Sequence, residues 1–284
     1  MIYISSTCIP SKNIKEAVLK LVQSGFFNIE LSGGTDYYDG LQNDLIKLKE
    51  KYNINYIVHN YFPPPKKHFV LNLASLNDTV FYNSLNHCIQ AIELAKAIHA
   101  SYYGIHAGFL IDIHHSEIGK QLSKRSLFDK EKAIYRFVEA YRMLTDISGD
   151  LRVYIENNVF SYSNKQTYNV NPFLLTNSDE YFELKKIFDF RFLLDVAHLK
   201  VSSFTHEIDF IQEFQILSVV SDYWHLSGNN GRWDQNKSIN EDHILLSTVN
   251  NCLFPNTITL EINEELETIK ADYKYIEKTY LMHH

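Results

Sequence analysis

Arg152-Val153-Tyr154-Ile155-Glu156 is a short apolar run that ends on a carboxylate, and the fold turns on how often that form recurs. A β-branched and aromatic run of this length reads as a buried strand. An amphipathic stretch over about 129–147 precedes it. Another starts behind it near Asp179, where Asn177 or Ser178 supplies an N-cap. Comparable runs are Ile2-Tyr3-Ile4-Ser5, Asn28-Ile29-Glu30-Leu31, Ile54 to His59, Tyr102 to His106, Phe192 to Asp195, Tyr223 to Leu226 and Thr257 to Glu261. Helical patterns stand between them. Ile14, Val18, Leu21 and Val22 share a face ahead of Gly25, as do Leu41, Leu45 and Leu48. Leu85, Cys88, Ile92 and Ala95 do so in a helix over about 78–99, and shorter helices are expected over about 207–217, 240–250 and 264–280. Eight strand–helix units in 284 residues is the arithmetic of one closed (β/α)8 TIM barrel, a single α/β domain over 1–284. A doubly wound sheet is the alternative. Its nucleotide-binding form lacks support, because no G-x-G-x-x-G follows the first strand and no G-x-x-x-x-G-K-[ST] occurs.

Composition narrows the function. At 45% hydrophobic and 21% charged residues, general disorder and fibrous repeats are excluded. Lys and Arg number 27 against 34 Asp and Glu, and the net charge of -7 argues against a nucleic-acid surface. Cys8, Cys88 and Cys252 are odd in number and far apart, so free thiols are expected rather than disulfides or a thiolate zinc site. No basic segment followed by an apolar stretch opens the chain, and no apolar run approaches the ~18 residues of a membrane span. The expectation is a cytoplasmic protein with no membrane partner. The pair His283-His284 is set aside from the site.

In a barrel of this kind the active site lies at the C-terminal strand ends and the loops beyond them. Strands three to eight end at His59, His106, Glu156, Asp195, His225 and Glu261. Buried carboxylates gathered in this way demand a counter-charge, and a divalent cation is the compact one. The donors are nitrogen and oxygen without sulfur, which suits Mn, Zn, Co, Fe or Mg. Glu156, Asp195, His225 and Glu261 form a four-ligand set from four adjacent strands. His59 and His106 could hold a second ion through a shared Glu156. Asp195-Val196-Ala197-His198 places His198 one turn beyond Asp195 on the same loop, although Asp195 could instead cap the segment that follows. The stretch from His225 to Asn236 turns back on its glycines and brings Asp234 and Asn236 to alternate positions. Within it Trp233 could wall a substrate. Arg232 could bind a phosphate or a sugar oxygen, or stand at the surface against Asp234. Glu30 lines the pocket or caps a turn and is left out of the site. His114-His115 reads as a solvated pair and Trp224 as packing. The long loops 107–128 and 157–177 shape the pocket.

At these residues the chain resembles the xylose-isomerase-like barrels, which include sugar (phosphate) isomerases and epimerases and the endonuclease-IV-type AP endonucleases. The resemblance runs through Gly25-Phe26-Phe27-Asn28-Ile29-Glu30-Leu31, Val58-His59-Asn60, Ile105-His106-Ala107-Gly108, Ile155-Glu156-Asn157, Leu194 to His198, His225 to Asn236 and Leu260-Glu261-Ile262-Asn263. In the isomerase branch it implies one divalent ion on Glu156, Asp195, His225 and Glu261. Glu156 and Glu261 then double as catalytic proton shuttles, and His59, His106 and His198 contact the substrate. In the endonuclease branch it implies three zinc ions, with His59, His106, His198 and an Asp-x-His pair as further ligands. This chain has Asp234-Gln235-Asn236 there, so the second histidine is replaced by a poorer zinc ligand. A metal-dependent isomerase or epimerase of a sugar or sugar-phosphate-like small molecule is therefore expected, with a phosphodiesterase on abasic DNA or a related lyase or hydrolase as alternatives. Pairing into a homodimer is common among such barrels.

Overall fold

The computed structural model describes residues 1–283, and His284 of the terminal pair lies outside the described residues. Eight parallel strands close into one barrel in sequence order: β1 (Ile2–Ser5), β2 (Asn28–Leu31), β3 (Asn55–His59), β4 (Tyr102–His106), β5 (Arg152–Glu156), β6 (Arg191–Asp195), β7 (Tyr223–Leu226) and β8 (Thr257–Leu260). β1 pairs with both β2 and β8, which completes the closure. The outer layer is α1 (Ile14–Gln23), α2 (Leu41–Tyr52), α3 (Asp78–Ala97), α4 (Lys130–Ser148), α5 (Tyr162–Thr167), α6 (Ser178–Ile187), α7 (Val196–His206), α8 (Phe210–Ser218), α9 (His243–Val249) and α10 (Leu266–His283). The expected (β/α)8 class is the one observed. None of the helices among the described residues is long and apolar enough to cross a membrane.

Local chemistry sets the boundaries. Asn13, Asn77, Asp129, Asn177 and Asp209 each cap a helix by accepting from a backbone N–H of its first turn. Each such cap contributes about 1 kcal/mol. Gly25, at φ +93°, closes α1: its N–H reaches the Val22 carbonyl and the Phe26 N–H reaches Leu21.

Three expectations are corrected. The segment after Asp195 is no loop, because α7 begins at Val196 with Asp195 as its cap. The next helix starts at Phe210, since Glu207 adopts a left-handed conformation that ends α7. Loop 157–177 contains a short helix, α5.

Period-two alternation stacks the barrel interior in layers. Tyr3, Ile57, Tyr154 and Tyr223, from the odd strands, form a buried apolar plug with Leu193. Two residues further along the same strands stand Ser5, His59, Glu156 and His225. The apolar plug thus becomes the floor of a polar mouth. Gly104 on β4 makes room there, since a Cβ would meet His59 Cδ2 at 2.7 Å.

The long loops pack on the barrel core through Leu110, Leu174 and Leu175, and also on each other. Phe109 and Phe173 form an antiparallel bridge. Val70, Phe109, Ile111, Leu122, Phe160, Tyr168 and Phe173 make an apolar cluster of their own. Two buried asparagines brace it. The Asn158 side chain donates to Ala107, Gly108 and Leu174 carbonyls, and the Asn72 side chain bonds Phe109 and Ile111.

Candidate metal centre

Glu156 lies at the middle of the mouth and is fully buried. Its Oε2 sits 2.7 Å from His59 Nε2 and 3.1 Å from His106 Nδ1. Its Oε1 faces His225 Nδ1 at 3.3 Å, and that nitrogen is 3.6 Å from Glu261 Oε2. Glu261 lies one residue beyond the end of β8.

Asp195 and His198 enter together on the first turn of α7. Asp195 Oδ1 accepts from the His198 N–H at 2.7 Å, so the capping alternative and a place in the cluster are both realised. Asn157 ties this turn down: its side chain bonds the Asp195 backbone N–H and carbonyl, and its own carbonyl takes His198 Nδ1 at 2.9 Å. With Nδ1 engaged there, His198 presents Nε2 to Asp234 Oδ2 at 3.3 Å.

The strand-end residues His59, His106, Glu156, Asp195, His225 and Glu261 thus converge, joined by His198 and Asp234. Ligand-type atoms within 4.8 Å of one another fall into three overlapping sets: His59–His106–Glu156, Glu156–Asp195–His198, and Glu30–His59–His225–Glu261. The quartet read from the sequence is spread across these sets rather than forming one of them. Arg232 stands exposed and does not line the pocket beside the mouth, whereas Trp233 does. Asn236 is turned away from a ligand role, because its Oδ1 accepts from Ser227 Oγ at 3.1 Å.

Glu30, left out of the site at first, is fully buried beneath it. His225 Nε2 is 3.0 Å from Glu30 Oε2, which also accepts from Tyr223 Oη and Thr259 Oγ1. Ser32 Oγ donates to the other oxygen. With both oxygens engaged, Glu30 orients His225 rather than serving as a ligand, and it leaves Nδ1 aimed at Glu156 and Glu261. The sequence signal for it was a carboxylate inside an apolar strand, flanked by Ile29 and Leu31.

The electrostatics are uneven. Burial pushes Glu261 up to about 7 and Asp195 up to about 6. Burial would raise Glu30 and Glu156 as well, but His225 outweighs it at Glu30, which falls to about 2, and the imidazoles His106, His59 and His225 hold Glu156 well below the usual range. Burial pushes His106 down to about 4. It opposes the carboxylates around His225 and His198, which still hold both well above the usual imidazole range. Glu156 Oε1, His225 Nδ1 and His106 Nδ1 are buried with no hydrogen-bond partner. Unpaired polar atoms cost about 1–3 kcal/mol each. A cation among such nitrogen and oxygen donors removes that cost, so the residues present fit a divalent metal ion.

No protein-family model matches the chain, and no curated protein matches it significantly. Solved structures do match in fold. A D-tagatose 3-epimerase-like protein superimposes with a TM-score of 0.72 at 18% identity, over 99% of this chain and 97% of its own. An L-ribulose 3-epimerase gives 0.71 at 13%, over 99% and 94%. Endonuclease IV from Thermus thermophilus gives 0.62 at 12%, over 98% of each. With its closed eight-stranded barrel and these whole-length superpositions, the chain shares the (β/α)8 barrel fold of these proteins.

Proposed function

We propose that the protein is a divalent-metal-dependent isomerase or epimerase of a small carbohydrate-like molecule. The carrying observation is the buried Glu156 Oε1 and His225 Nδ1, which face each other at 3.3 Å without completing a hydrogen bond, with Glu261 beside them. Glu156, Asp195, His225 and Glu261 would hold the ion, and His59, His106, His198 and Asp234 are candidates for a further one. Such an ion, once bound, stabilises negative charge on neighbouring substrate oxygens and so acidifies the C–H bond between them. Glu156, held ionised, is suited to take that proton. Glu261, on the other side of the His225 Nδ1 from Glu156, is suited to return one to the neighbouring carbon or the opposite face. His59 and His198 orient hydroxyls. The epimerases among proteins of similar fold support the choice.

The test is deuterium uptake. The metal-loaded protein in D2O should label a panel of ketoses at the carbon next to the carbonyl, and Glu156→Gln should stop it. Full turnover by Glu156→Gln would end this mechanism.

A phosphodiesterase acting on abasic DNA is the second reading. It is favoured by the closeness of His59, His106, Glu156, His198 and Asp234, and opposed by the engaged Asn236 and the net charge of -7. Cleavage of an abasic duplex in the presence of zinc would reverse the ranking.

A further inference from the structure

We infer, resting on the metal-centre reading above, that the substrate bears an apolar substituent, aryl or alkyl, on its hydroxy-carbonyl head, and bears no phosphate. A pocket of about 250 Å³ opens directly from the cluster, with His106, His198 and Asp234 at one end. The rest of its wall is largely apolar and comes from the two long loops: Phe109, Ile118, Leu122 and Phe173, with Val70 and Trp233 completing it. A cavity of roughly 150 Å³ already admits a benzene ring, so this one takes a ring with its linker.

The wall is prebuilt. Val70, Phe109, Leu122 and Phe173 belong to the loops' own apolar cluster, and the bridge between Phe109 and Phe173 fixes its two halves. Ile118 and Trp233 are about half exposed, at 46% and 43%. Large apolar side chains left open beside a polar mouth mark a surface that a ligand covers.

The two asparagines of the lining bond the protein itself. Asn158 bonds three backbone carbonyls, and Asn164 Oδ1 accepts from the Leu122 N–H at 2.9 Å. The Lys120 ammonium donates to the Ser116 carbonyl at 3.0 Å, and the other cationic group of the lining, His198, faces Asp234 at 3.3 Å. Arg125 is bound to Glu117 at 2.5 Å rather than free to fork a phosphate. A phosphate entering here would meet the carboxylates of Glu117 and Asp234. With each lining cation already facing a carboxylate or a carbonyl, the pocket favours an apolar tail over the charged tail of a sugar phosphate.

Three hydroxamates share a metal-chelating head and differ in the tail: acetohydroxamate, benzohydroxamate and phosphoglycolohydroxamate. Calorimetric titration of the Mn-loaded protein should give benzohydroxamate at least tenfold tighter binding than acetohydroxamate, with the phosphate probe no tighter. In Ile118→Ser and in Phe173→Ala the ratio of the first two affinities should collapse toward one. Ile118 is exposed, so at least that variant keeps its fold. Equal affinities, or tightest binding by the phosphate probe, would overturn the inference and leave the metal-centre reading standing. No metal-dependent binding by any of the three would sink both.

Discussion

Two buried charge clusters lie within one loop of each other, and they are built on opposite plans. Under the loop that follows β7, Lys200 is buried with Asp242, 2.5 Å apart. Its ammonium also donates to the Asn229 carbonyl at 2.7 Å, while Asp242 accepts from the N–H groups of Asn229 and Leu245. These charged groups are all engaged within the protein. In the barrel mouth, Glu156 Oε1, His225 Nδ1 and His106 Nδ1 lie near opposite charges but complete no hydrogen bond. The first cluster is closed and holds the loop carrying Trp233 and Asp234 against α7, which carries His198. The second is open and can be completed only from outside. Burial and charge are common to both; what separates structure from chemistry is whether the hydrogen-bonding capacity is used up.

Four substitutions or titrations would break or sharpen this contrast. The largest effect is expected in the closed cluster. Lys200→Met strands a buried carboxylate and should cost about 3–5 kcal/mol in urea denaturation. The double variant Lys200→Met/Asp242→Leu should recover most of that loss, and equal instability in both would show that the pair is not closed on itself.

His87 on α3 is the limiting case of a buried group with neither plan: its Nε2 has no partner, and burial lowers its pKa from 6.5 to about 4. The fold thus keeps it neutral while the unfolded chain takes up a proton. Stability should be full above pH 6.5, fall between about 6.5 and 4, and level off below, a loss of about 3 kcal/mol. His87→Phe should flatten that stretch of the stability curve.

Next comes Glu30, which joins the open cluster to the floor. Glu30→Gln should weaken metal binding about 10–100-fold in competition with a chelator, with the fold retained. Unchanged affinity would mean that the orientation of His225 is set elsewhere. Smallest is Gly104→Ala, whose methyl would press on the His59 ring at 2.7 Å. A severalfold rise in the metal dissociation constant is expected, and it should be relieved by pairing with His59→Ser.

The strands and the converging residues were legible because two-residue alternation and the strand ends are local patterns: His59, Glu156 and Asp195 are the last residues of their strands. Glu30 was not, because it sits mid-strand, one layer below the mouth, where sequence alone shows only an acid between two apolar neighbours. Helix α7 was missed for a different reason. Residues 196 to 203 are buried without interruption, so the helix has no polar face and no 3.6-residue rhythm. Arg232 looked like a ligand contact by proximity in sequence, yet the turn at Gly231, with φ +76°, leaves it exposed while Trp233 enters the pocket lining. The asparagine braces at 72 and 158 reach across dozens of residues and leave no local trace.

The loop cluster around Phe109 and Phe173 carries a consequence for how such a molecule changes over generations. Because Phe109, Leu122, Phe160 and Phe173 cluster apart from the barrel core, these positions can change with less effect on the barrel than Leu110, Leu174 and Leu175, which belong to it. The cluster's halves are not independent, since one loop supplies Phe109 and the other Phe173. Loops 107–128 and 157–177 should therefore drift, or be transplanted between barrels, as a matched pair, with Asn72 as the socket a recipient must keep.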